Sequence, residues 1–127
     1  MIPPVRSLEP AEDLAITLVR RFLVLCESPR TRRTMLRMVR GSTGNARAGR
    51  RFYRVVNRVV VSPALRRRGL QVSAMKTELV AAQLIGIAVL RYVVKVEPMA
   101  SASVDEVVEL AAPSIRATLR GVNGRDR

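Results

Sequence analysis

Between Leu79 and Leu90 the chain runs through twelve residues with one polar side chain, Gln83. Arg91 and Lys95 then close the run, well short of the ~20 apolar residues that a membrane-spanning helix needs. Its residues do not alternate at period two, which argues for a helix rather than a half-buried strand. Read from Val72 to Val96, that helix would be roughly 37 Å long at 1.5 Å per residue. A domain of this length is itself only about 35 Å across. More than three turns are apolar on every side, so the helix is expected to need cover all round.

The rest of the chain reads as the helices that supply the cover. A first helix from about Pro10 to Glu27 has Ser7 as its candidate cap, with Glu9, Glu12 and Asp13 near the positive end of its dipole. Its inner stripe is Leu14, Leu18, Phe22 and Leu25, and Ser28-Pro29 stops it. A second helix, about Thr31 to Arg40, turns Met35, Leu36, Met38 and Val39 inward and Arg30, Arg33, Arg37 and Arg40 outward. The third, about Ala46 to Val61, turns Phe52, Val55, Val56, Val59 and Val60 inward and Arg47, Arg50, Arg51, Arg54 and Arg58 outward. Ser62-Pro63 is expected to break it, with Leu65 to Gly69 as a short basic turn.

After the long helix, Glu97-Pro98 makes a stop, and Ser103 to Glu106 spells a capping box for the last helix. Val104, Val108, Ala111, Ile115 and Leu119 form one stripe there, which Val107, Leu110 and Ala112 widen beyond the needs of a single neighbour. Pro113 is expected to kink it, and Gly121 to end it. The reading is therefore all-α, a bundle of about five to six helices. It comprises one domain over residues 10–121, an N-terminal extension over 1–9 and a flexible tail over 122–127.

Little chemistry is available to such a chain. It has no histidine, the commonest general base and metal ligand, and one cysteine, Cys26, in an apolar stretch. No metal, cofactor or catalytic residue is expected, and the chain is not read as an enzyme. Ser73 and Lys76 match an S-x-x-K pattern without its companion motifs. The loop Gly41-Ser42-Thr43-Gly44-Asn45 lacks the Gly-Lys-Ser/Thr ending of a phosphate-binding loop, so an interhelical turn is the reading. No signal peptide opens the chain, and a cytoplasmic location is expected.

Charge is unevenly spread. The chain carries a net +13, of which residues 1–70 hold 16 basic and 4 acidic residues and residues 71–127 hold 7 and 6. Of the 23 basic residues, 21 are arginine. Such a skew arises either from the codon usage of a GC-rich genome or from an anion-binding face. The second source makes an arginine-rich, non-specific nucleic-acid binder the alternative reading. Only phosphate contacts would then be available, because no base-reading or base-stacking motif is present.

The segment Val80 to Gly121 resembles the end of many TetR-type transcription repressors. The matching elements are Leu90-Arg91-Tyr92, Val96-Glu97-Pro98-Met99 and Ala112-Pro113-Ser114-Ile115, in that order and spacing. Ala15 to Arg40 is compatible with the middle of such proteins. The resemblance implies an effector-sensing and dimerisation domain, and nothing before Leu14 reads as the family's helix-turn-helix, so no specific DNA binding is expected from this chain. It further implies a homodimer through the last two helices, with Ala82, Gly86, Val89, Val93, Val108, Ala111, Ile115 and Leu119 as interface candidates. A small, mostly apolar effector is implied too, with Phe22, Met35, Met38, Phe52 and Gln83 as candidate lining.

Overall fold

A computed structural model describes the backbone of residues 3–120 and the side chains of residues 14–120. Among the described residues there are helices and turns and no strand. The elements are α1 (Pro3–Glu27), α2 (Pro29–Ser42), α3 (Ala46–Val56), α4 (Ser62–Arg67), α5 (Ala74–Ala88) and α6 (Val104–Arg120). One π-helical turn, Asn57–Val61, joins α3 to α4, and another, Val89–Val93, extends α5. The proposed tail at 122–127 and the stop at Gly121 lie outside the described residues.

Several boundaries follow from side-chain caps. Ser28 Oγ accepts from the Thr31 N–H and opens α2, with Pro29 in its first turn. Asn45 Oδ1 accepts from the Ala48 N–H at 3.1 Å and opens α3. Of the expected Gly41–Asn45 loop, Gly41 and Ser42 are the last residues of α2, and only Thr43 to Asn45 turn between the helices. The capping box forms reciprocally: the Glu106 N–H donates to Ser103 Oγ at 3.1 Å, and the Ser103 N–H to Glu106 Oε1 at 3.0 Å. Ser73 Oγ accepts from the Lys76 N–H at 3.2 Å at the start of α5, which accounts for the S-x-x-K pattern as a helix cap.

Three expectations are corrected. Helix α1 begins at Pro3, so Ser7 and Pro10 fall inside it and Ser7 is not its cap; two prolines suit a first turn, whose N–H groups have no helical acceptor. Ser62-Pro63 does not break the third helix. The Ser62 N–H donates to the Asn57 carbonyl five residues back, and this wider turn carries the chain past Pro63 into α4. The long helix is also shorter than expected, Ala74 to Val93 including its π turn. Lys95 takes a left-handed conformation (φ 60), and the Val96 N–H reaches back to the Leu90 carbonyl at 2.9 Å to close the end.

Among the described side chains, those of α1 are the most enclosed. Leu14, Ala15, Leu18, Val19, Phe22, Leu23 and Cys26 are all buried, a band too wide for a single neighbour. Its main packing partner is α6, and α2, α4 and α5 also touch it. Helix α5 buries one side only, Val80, Ala81, Leu84 and Ala88, and exposes Met75, Leu79, Ala82, Gly86 and Leu90. The cover that its hydropathy demands is thus incomplete within one copy of the chain.

Candidate functional site

Two apolar features survive after the core is packed, one facing inward and one outward. The inward feature is a cavity of about 200 Å³ among α1, α2 and α3. Phe22 and Cys26 come from α1, Met35 and Met38 from α2, and Phe52, Val56 and Val60 from α3 and its π turn. Four of the five residues proposed as lining therefore meet in one place: Phe22, Met35, Met38 and Phe52. The lining is almost wholly apolar, with Thr31 and Thr34 as its hydroxyls. The periodicity of the third helix marks Val55, Val56, Val59 and Val60 as inward-facing; Val56 and Val60 are buried, but Val55 is half-buried and Val59 is 44% exposed. Cys26 is buried with its Sγ 3.8 Å from Met35 Sδ, and burial pushes its thiol up to about 12, which makes it an unreactive part of the wall.

Gln83 is not at this cavity. Its amide is used between helices: Nε2 donates to Thr118 Oγ1 at 2.8 Å, and Oε1 accepts from Ser114 Oγ at 2.6 Å. Nε2 also reaches the Leu79 carbonyl at 3.3 Å. A polar side chain in an apolar helix needs such partners, and α6 supplies them.

The outward feature is the face shared by α5 and α6. Leu79, Ala82, Gly86 and Leu90 lie exposed along α5 at spacings of three and four, and Leu110, Pro113 and Ala117 do the same along α6. Leu110 is 81% exposed. Small residues occupy the middle of the α5 stripe, and a β-carbon added at Gly86 meets nothing within 4 Å. At the loop end of the face, an apolar cleft of about 560 Å³ opens between Ile87, Val96, Pro98, Met99, Val107 and Leu110.

Of the residues proposed for an interface, Ala82 and Gly86 lie on this face, and Val89 is half-buried. Val93, Ala111 and Leu119 are half-buried against the chain's own core. Val108 and Ile115 are buried inside that core, because α6 turns this stripe toward α1. The face itself is made by the residues between the stripes, which hydropathy alone does not separate from the core.

The two features share a support at the π turn that ends α5. Arg91, 7% exposed, donates to the carbonyls of Met99 and Ala102, both at 2.7 Å, and to Glu27 Oε2 at 3.3 Å. It thereby fastens the α5–α6 connection to the end of α1. The Tyr92 hydroxyl donates to the same Glu27 oxygen. That bond, with Arg91 in support, holds the Glu27 carboxyl below its ordinary value of 4.5. Burial first, and then the bond to Glu27, push Tyr92 up to about 12.

These shifts predict an alkaline weakness. A tyrosine whose folded value is raised contributes stability that is complete below about pH 10 and is lost as pH rises through about 12. Denaturant titrations of the chain and of Tyr92→Phe test this. The stability gap between them should shrink across that window, and a gap constant from neutral pH to pH 12 would contradict it. At the acid end, the Glu27 contribution is present above 4.5 and fades below it.

The arginine faces are as exposed as the periodicity implies. Arg30, Arg33, Arg37 and Arg40 on α2, and Arg47, Arg50, Arg51, Arg54 and Arg58 on α3 and its π turn, are all exposed. No group of three or more His, Cys, Asp or Glu residues that could hold a metal ion occurs among the described residues. No helix among them is long and apolar enough to cross a membrane.

Comparison with protein families places residues 12–119 in the tetracyclin repressor-like, C-terminal domain. The chain belongs to this family. Neither the curated proteins nor the solved structures give a match. Members of the family are the C-terminal domains of regulators. In this member of the tetracyclin repressor-like family, the Leu90-Arg91-Tyr92 element is thus a structural fastening: Arg91 and Tyr92 both turn back onto Glu27.

Proposed function

We propose that this chain is the effector-sensing and dimerisation domain of a TetR-like transcriptional regulator. The observation that carries the reading is the division of its unfilled apolar surface between a cavity lined by α1, α2 and α3 and an exposed face on α5 and α6. The cavity, with flexible methionines beside two phenylalanines, suits the apolar part of a small effector. The α5–α6 face, with small residues where two backbones approach, suits a second copy. A regulator needs both, since an effector acts by biasing how two subunits sit together.

Thermal shift with a panel of apolar small molecules, 1-decanol among them, tests the cavity. A ligand at a hundred times its dissociation constant stabilises a fold by ~2.7 kcal/mol, a rise of several degrees. Met38→Trp should fill the space and abolish the shift. A panel without effect, or shifts that survive Met38→Trp, would remove the effector role.

The exposed arginine faces of α2 and α3 support a second reading, the binding of nucleic acid through phosphate alone. Such binding is independent of sequence and weakens steeply with salt.

A further inference from the structure

A second cavity, of about 250 Å³, adjoins the first, and Met35 lines both. Its lining includes Met35, Leu36, Tyr92 and Val93 together with three cations, Arg32, Arg33 and Lys95. Arg33 and Lys95 pair with no carboxylate among the described residues. The acid at the nearby end of α1, Glu27, is engaged by Tyr92 and Arg91. Among the described residues Arg32 makes no ion pair of its own, though its charge acts on the Glu27 carboxylate. One Nη donates to the Glu27 carbonyl at 3.0 Å, its guanidinium lies 5.7 Å from the Tyr92 ring centre, and its buried Nε has no partner. A buried donor without an acceptor is costly, and an anion in this cavity would relieve it.

Size points the same way. Ligand cavities begin at about 300 Å³, which neither space reaches and which the two together exceed. The side chain common to both is an unbranched thioether that can change rotamer with little cost to packing. We infer that the effector is an amphiphile, with an apolar chain among Phe22, Met38 and Phe52 and an anionic head, carboxylate or phosphate, held past Met35 by Arg32, Arg33 and Lys95. This inference rests on the proposed effector role of the first cavity. The apolar part supplies burial, and the cations select for charge.

Calorimetric titration with sodium decanoate, decyl phosphate and 1-decanol tests it, with Arg33→Gln/Lys95→Asn as the variant. Both positions are exposed, and Asn tolerates the left-handed backbone at Lys95. Either anion should bind the wild type at least about tenfold more tightly than 1-decanol, and the double variant should erase most of that advantage. The charge-retaining Arg33→Lys/Lys95→Arg should keep it. Binding of decanoate alone or of decyl phosphate alone would fix which head the cations take. Anions that bind no better than 1-decanol, or an advantage that survives the double variant, would overturn the inference and leave the cavity reading intact. Loss of 1-decanol binding in Met38→Trp confirms that reading independently; if 1-decanol binding is absent or survives that change, both fail.

Discussion

Arg91→Met will lower the stability of the fold by about 3 kcal/mol, although methionine fills much of the same space. The loss comes from what arginine leaves behind. The Met99 and Ala102 carbonyls each accept a charged donor at 2.7 Å, and Glu27 loses a cation at 3.3 Å. For a domain of this size that is a fall of roughly 10 °C in melting temperature. Arg91→Lys should recover only part of it, because a single ammonium lacks the planar fork that spans several acceptors. Arg54→Met, at an exposed position, should stay within about 0.5 kcal/mol of the wild type. A melting curve for Arg91→Met that overlays the wild type would show that this network holds nothing together.

The second large effect concerns Gly86. Within one copy, a side chain there meets open space, so Gly86→Glu should leave the isolated chain as stable or up to about 1 kcal/mol more stable through better helix propensity. In a dimer through α5 and α6 the same change buries a charge without a partner, which costs several kcal/mol and weakens association by at least ~100-fold. Ala82→Glu, one turn away on the same exposed stripe, should act alike. Paired measurements of monomer stability and of association separate the two effects. Equal association of Gly86→Glu and wild type would place any contact elsewhere.

What the sequence made legible was local. The turn before Ala46 and the capping box at Ser103 rest on side chains that bond backbone groups within four residues. Ser28-Pro29, by contrast, reads as a stop to the first helix, and the role of Ser28 as the cap of α2 shows only in the structure. What resisted reading was everything decided across helices. The run from Leu79 to Leu90 announces how much apolar surface must be covered, but not what covers it, and α1 proved to be the enclosed helix. Ser62-Pro63 reads as a break because a one-residue widening of the preceding turn leaves no mark on hydrophobic periodicity.

The candidate site divides the same way. Phe22, Met35, Met38 and Phe52 sit on inward stripes of three consecutive helices, so their convergence was readable. Gln83 was misplaced because its partners, Ser114 and Thr118, are more than thirty residues away in the chain. On α6, the choice between Ile115 and Leu110 for the outward side turns on how the helix is rotated against α1. Both residues are large and apolar, and hydropathy ranks them alike.

The proposed function requires the exposed face of α5 and α6 to be covered by a second copy. Sedimentation equilibrium of the wild-type chain at tens of micromolar tests this most directly. The account predicts a species of twice the 14.1 kDa chain mass, shifted toward the monomer by Gly86→Glu. A single 14.1 kDa species across that concentration range would contradict it.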